Sequence, residues 1–137
     1  MTVSTVTVRR PAHAAHKSGT LSPHEQGILW DMEEQFWTSG ADSAQATTAT
    51  NAVMVFPYPP GILQGDQIWP HLKQSTGWRS VVMAERRVTR CRDIAILTYR
   101  VSAEKTDVPI YKALCASTYL SDEDTWLRIS HQQTAVT

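Results

Sequence analysis

The chain has 137 residues, and its 13 basic side chains balance 13 acidic ones, leaving no formal net charge. That length suits one domain able to bury about two-thirds of its unfolded surface without a metal or a disulfide. The balance excludes the broad electrostatic field that gathers nucleic acid or an anionic membrane.

Cys91 and Cys115 lie outside any metal-ligand spacing and read as reduced, packed thiols. No window reaches the ~20 apolar residues of a membrane span. The opening residues carry neither a basic leader nor a long apolar run, so a cytoplasmic protein is expected. Arg86, Arg87, Arg90 and Arg92 form a local basic run. With no glycine loop and no interleaved aromatics, it reads as a solvated strand edge.

Residues 1–20 are rich in Thr, Ser, Ala and His and read as a flexible tail, with 21–137 as the folded domain. Within the tail, Val6-Thr7-Val8 could add a short strand to a sheet edge. Ser22-Pro23-His24-Glu25 is a capping box with proline at the first helical position. Ile28, Leu29, Met32 and Phe36 continue at helical spacing, flanked by Trp30 and Trp37, while Asp31, Glu33, Glu34 and Gln35 are assigned to the wetter arc. Gly40 offers a left-handed ending, and Asp42 would cap a short second helix within 41–50.

Ala52 to Phe56 predicts a buried strand, which Pro57-Tyr58-Pro59-Pro60-Gly61 terminates. One or two helical turns follow over Gly65 to Leu72, with Asp66 as cap. Four longer strands are expected at Trp78–Cys91, Ile94–Ala103, Pro109–Leu120 and Thr125–Gln133. Their short polar turns imply antiparallel neighbours. Helices first and strands afterwards predict an α+β fold with the N-terminal helices packed on one face of a curved antiparallel sheet.

This order resembles the nuclear transport factor 2-like superfamily, including its SnoaL-like and ketosteroid-isomerase-like branches. The resemblance runs from about Leu21 to Val136. It rests on the first helix (Ile28 to Trp37), Gly40-Ala41-Asp42, Ala52-Val53-Met54-Val55-Phe56-Pro57, Gly65 with its short helix, and the closing Trp126-Leu127-Arg128-Ile129-Ser130-His131-Gln132-Gln133. It implies a cone-shaped fold, packing of the helices on the concave face, and a homodimer through the outer sheet face. The superfamily hosts isomerases, cyclases, dehydratases and subunits without catalysis, so the fold alone names no reaction.

Strand parity groups Tyr111, Ala113, Cys115, Ser117 and Tyr119 on one face, opposite Lys112; Leu97, Tyr99 and Val101, opposite Arg100; and Leu127, Ile129, His131 and Gln133, opposite Arg128. Together they predict a concave wall. The ligand-binding candidates are Trp37, Phe56, Tyr58, Trp69, Trp78, Met83, Tyr99, Tyr111, Cys115, Tyr119 and Gln133, an aromatic set suited to a small apolar or amphipathic molecule.

His131 is the candidate acid/base, held by Glu34, Glu85 or Tyr111, with Glu34 and Glu85 as catalytic carboxylates. The stretch Asn51 to Tyr58 has no acid where a proton-shuttling isomerase of this fold would want one. The leading expectation is therefore a binding protein. A cofactor-free isomerase, dehydratase or cyclase is the first alternative, and a dimerisation or assembly domain the second. No cofactor or metal is expected, because neither a phosphate-binding glycine loop nor a Cys/His cluster is present.

Overall fold

A computed structural model describes residues 18–19, 21–75 and 77–136. The Val6-Thr7-Val8 stretch and most of the expected tail lie outside them. The described end of that segment, β1 (Ser18–Gly19), pairs with Cys91 and Arg90 at one sheet edge.

Helix α1 (Pro23–Thr38) begins as the sequence dictates. Ser22 Oγ accepts from the Glu25 backbone N–H at 3.1 Å, and Glu25 Oε1 accepts from the Ser22 N–H at 3.2 Å. Gly40 follows with φ +89° and ψ 172°, a positive-φ extended conformation rather than the expected left-handed helical one, and redirects the chain into α2 (Ala41–Ala46). Asp42 lies inside the first turn of α2 and makes no capping bond, because Gly40 holds the N-cap position. Asp66 likewise caps nothing. It sits inside the 3-10 turn Gly65–Gln67 that leads into α3 (Ile68–Gln74), and Gln64 occupies the cap position.

The strands are β2 (Thr48–Val55), β3 (Ile62–Gln64), β4 (Ser80–Cys91), β5 (Ile94–Glu104), β6 (Tyr111–Asp122) and β7 (Thr125–Ala135). They form one seven-stranded sheet in the order β1-β4-β5-β6-β7-β2-β3. Consecutive long strands are antiparallel hairpins, as their tight turns require. The pair β2/β7 is parallel. These strands are joined through the rest of the sheet, so no short turn constrains their relative direction. Strand β3, too short to announce itself by alternation, pairs back on β2 after the proline-rich turn.

Strands β5 and β6 alternate cleanly: Leu97, Tyr99, Val101, Ala113, Cys115, Ser117 and Tyr119 are buried beneath α1. Strand β7 departs from strict alternation. Thr118 pairs with Ser130 but Tyr119 with Arg128, so Ile129 is an extra residue in a bulge. The bulge turns Arg128 inward, where it is fully buried, and leaves Leu127 and Ile129 half-buried. Simple parity places Arg128 outside, and one inserted residue reverses that assignment. A second bulge, at Ala84/Arg87 of β4, sets Glu85 at φ 54° on the outer side. No helix of the described residues is long and apolar enough to cross a membrane.

Candidate functional site

The inward face of α1 consists of Leu29, Trp30, Glu33, Phe36 and Trp37. Glu33 stands at its centre, one helical turn from each of the others. Its exposure is 0%, a reversal of its expected place on the wetter arc. Taking a carboxylate out of water costs several kcal/mol unless its lone pairs are filled, and here they are. Tyr119 Oη donates to Oε1 at 2.6 Å, while Tyr99 Oη and Ser117 Oγ each donate to Oε2 at 2.5 Å.

Each of these hydroxyls works twice. Tyr99 accepts from the Trp37 indole N–H at 2.8 Å, Tyr119 from an Arg128 Nη at 2.7 Å, and Ser117 lies 2.7 Å from His131 Nδ1. Two basic side chains complete the surroundings. His131 Nδ1 is 3.3 Å and Arg128 Nε 3.9 Å from the carboxylate, and all three side chains are fully shielded from solvent. Burial alone would raise the pKa of Glu33. The hydrogen bond and charge of His131, then the charge of Arg128 and the Ser117 hydroxyl, outweigh it and hold Glu33 down at about 2. Burial, followed by the charge of Glu33, pushes both Tyr99 and Tyr119 well above the usual tyrosine value.

The Nη atoms of Arg128 also donate to the hydroxyls of Thr47 and Thr48 and to the Met32 carbonyl, at 3.0–3.2 Å, while its buried Nε makes no hydrogen bond among the described residues. The guanidinium lies 4.5 Å from the centroid of the Phe36 ring. His131 packs among the aromatic side chains, its ring centroid 4.5 Å from that of Phe36 and 6.1 Å from those of Trp37 and Phe56.

Above these rings a cleft of about 330 Å³ opens to solvent. Phe36, Trp37, Phe56, Trp78, Tyr111 and Gln133 contribute to its lining, along with prolines of the Pro57–Pro60 turn, His71 and Lys105. His131 is 1% exposed and lies behind this lining. Gln133 joins the two: its Nε2 is 3.0 Å from His131 Nε2, and its Oε1 accepts from Tyr111 Oη at 3.0 Å. Tyr111 stacks on Trp78 (5.6 Å, 15°), and Lys105 Nζ sits 4.4 Å above the Trp78 ring.

The structure therefore gathers Trp37, Phe56, Trp78, Tyr111 and Gln133 around one cleft. Tyr99, Tyr119 and Cys115 lie in the packed layer beneath, the two tyrosines bonded to Glu33. Trp69 and Met83 are core residues outside the lining, and Tyr58 is 88% exposed. Glu34 is exposed on the outer arc of α1, and Glu85 is exposed and paired with Arg100 at 2.8 Å, so neither meets His131. The carboxylate that does meet it is Glu33. Two signals point there: Glu33 is the lone acid bracketed by Leu29, Trp30, Phe36 and Trp37 at helical spacing, and two tyrosines on inward positions need an acceptor.

No protein-family model matches the chain, and no curated protein matches it. Solved structures do. One from Parabacteroides distasonis, provisionally assigned as a ketosteroid isomerase, is 19% identical over 80% of this chain and 86% of its own, with a TM-score of 0.71. One from Streptomyces avermitilis, provisionally a dehydratase of the NTF2-like family, is 13% identical over 83% and 95%, with a TM-score of 0.68. A third, from Exiguobacterium sibiricum, provisionally a Ca/calmodulin-dependent kinase II association domain, is 12% identical over 87% and 97%, with a TM-score of 0.68. The chain thus has the nuclear transport factor 2-like fold: an α+β cone with N-terminal helices on the hollow face of a curved, mostly antiparallel sheet. At these identities the likeness is one of architecture.

Proposed function

We propose that this protein binds a small, planar, apolar or amphipathic molecule in the cleft, with its polar end toward Gln133 and Tyr111. The observation that carries this reading is the chemistry of the lining: aromatic walls, a Gln133–Tyr111 floor, and no aspartate or glutamate among the described lining residues. The nearest carboxylate, Glu33, lies in the layer below, ionised and occupied by three hydroxyls, so it is a scaffold charge rather than a base for substrate.

The reading is tested by titrating 2-naphthol while following tryptophan fluorescence, since Trp37 and Trp78 face the cleft. Saturable quenching that is lost in Trp78→Ala and Phe56→Ala supports it. Titrations that stay linear to the solubility limit, for 2-naphthol and for 2-naphthoate alike, overturn it.

The His131–Glu33 pairing favours a second reading, turnover as a cofactor-free isomerase, dehydratase or cyclase with His131 as acid/base. Proton exchange at a bound substrate's α-carbon, abolished in His131→Asn, would establish it. We further propose a homodimer through the outer sheet face, where Val82, Ile96 and Leu114 are exposed. Light scattering on Leu114→Glu tests this; an unchanged dimer would exclude that face.

A further inference from the structure

We propose that Gln133 couples the charge of His131 to the hydrogen-bonding character of the cleft floor, so that a ligand presenting an acceptor, such as an aromatic carboxylate, binds with uptake of a proton from solvent onto His131 Nε2. This rests on the binding reading above and specifies the ligand class.

The coupling follows from one constraint passed along a chain of contacts. An ionised carboxylate only accepts, so Ser117 must donate its single proton to Glu33 Oε2. Its oxygen can then only accept from His131, 2.7 Å away, which fixes a proton on Nδ1 whatever the charge of the ring. The variable site is Nε2, and its partner is the Gln133 amide. When Nε2 is bare, Gln133 must turn its NH₂ toward it, leaving Oε1 to accept from Tyr111. The Tyr111 oxygen then shows the cleft lone pairs. When Nε2 carries a proton, the amide turns over, its NH₂ donates to Tyr111, and the Tyr111 O–H is released toward the cleft as a donor.

The carboxylate, phenols, thiol and guanidinium around His131 hold their charge through the neutral range. From α1 comes Glu33, held at about 2. From β5 and β6 come Tyr99 and Tyr119, well above the usual value, and Tyr111 and Cys115, both pushed up to about 12 by burial first. Arg128 on β7 is a permanent cation. On α3, His71 contacts the Phe56 ring that separates it from His131. At the cleft wall, Lys105 over Trp78 adds a positive charge suited to an anion, with no acid in the lining to oppose it.

The test compares 2-naphthoate with 2-naphthol on the full chain from about pH 5 to 9, above the ~4 at which carboxylic acids ionise. 2-Naphthoate should weaken by up to tenfold per pH unit on the alkaline side, and calorimetry in buffers of different ionisation enthalpy should show proton uptake. 2-Naphthol, able to donate or accept, should bind with a flatter profile. Gln133→Met should flatten the 2-naphthoate profile, while His71→Asn should keep its slope. Lys105→Met should weaken 2-naphthoate by the same factor at every pH.

A ligand-independent readout is the ¹⁵N spectrum of the His131 ring, where the neutral form should carry its proton on Nδ1. A neutral Nε2–H tautomer, 2-naphthoate binding without proton uptake, or a slope that disappears in His71→Asn would each overturn the proposal. If 2-naphthol binds and 2-naphthoate does not, the acceptor class is wrong while the binding reading stands. If neither binds, the binding reading and the proposal built on it both fail.

Discussion

Glu33 Oε2 lies 3.3 Å from His131 Nδ1, with both side chains sealed from solvent between α1 and the sheet. Ser117 touches both and ties the helix to β6 and β7 at a single point. The pair is thus as much a fastening between layers as a piece of chemistry. Its consequences should appear in folding before they appear in binding.

Removing the anion should be costly. Glu33→Ala leaves Arg128 and His131 without their counter-charge and three hydroxyls without an acceptor. A loss of about 3–5 kcal/mol is expected, as for other broken buried pairs. Urea unfolding measures it; a loss below about 1 kcal/mol would mean that water replaces the carboxylate.

Acid should act through the same residue. Glu33 is held at about 2 against an ordinary value of 4.5, so its contribution is complete above that ordinary value and disappears as pH falls through about 2. The unfolded chain binds the proton first, which gives stability a positive slope with pH in this window, amounting to about 3 kcal/mol. Denaturant midpoints taken between pH 5 and 2 should fall steeply in the parent and shallowly in Glu33→Gln. Parallel curves would refute the assignment.

Tyr99→Phe should cost about 1.5–3 kcal/mol, the range for a hydrogen bond to a charged group. It should also be non-additive with Trp37→Phe, because the Trp37 indole donates to the hydroxyl that the first change deletes. A double-mutant cycle reads the coupling, and strict additivity would contradict the shared hydroxyl.

Glu85 and Glu34 should be replaceable. Glu85→Gln removes an exposed pair with Arg100, and Glu34→Gln touches only the outer arc of α1. Each is expected to shift stability by less than about 0.5 kcal/mol and to leave 2-naphthol affinity unchanged. A tenfold change in either variant would reopen the search for a second carboxylate.

Gly40→Ala should destabilise by about 1–2 kcal/mol through backbone strain alone. Its φ is +89°, and a Cβ built there meets nothing within 4 Å. With ψ at 172° the backbone lies outside the αL region that asparagine tolerates, so Gly40→Asn should melt as low as Gly40→Ala. A Gly40→Asn melting temperature close to the parent's would point away from strain.

The hairpin strands and the first helix are legible in the sequence because each is a local pattern. The capping box at Ser22, the alternation through Leu97, Tyr99 and Val101, and the polar turns all survive translation into three dimensions. The inward turn of Arg128 is hidden, since a bulge depends on pairing with another strand and leaves no period in β7 itself. Glu33 is obscured for a related reason. Its charge argues for solvent, and only three hydroxyls arriving from β5 and β6 make the interior the better place for it. The cleft members far apart in sequence, Lys105 with Trp78 and Gln133 with Tyr111, meet through strand register that no single segment encodes.

The extra residue in β7 lets two side chains an odd number of positions apart share one wall. Arg128 sits opposite Tyr119 and His131 opposite Ser117, so losing Ile129 would close the pleat with both still turned into the hollow. Shortening the chain at this spot is therefore tolerable to the ion cluster, whereas replacing the guanidinium at 128 is not.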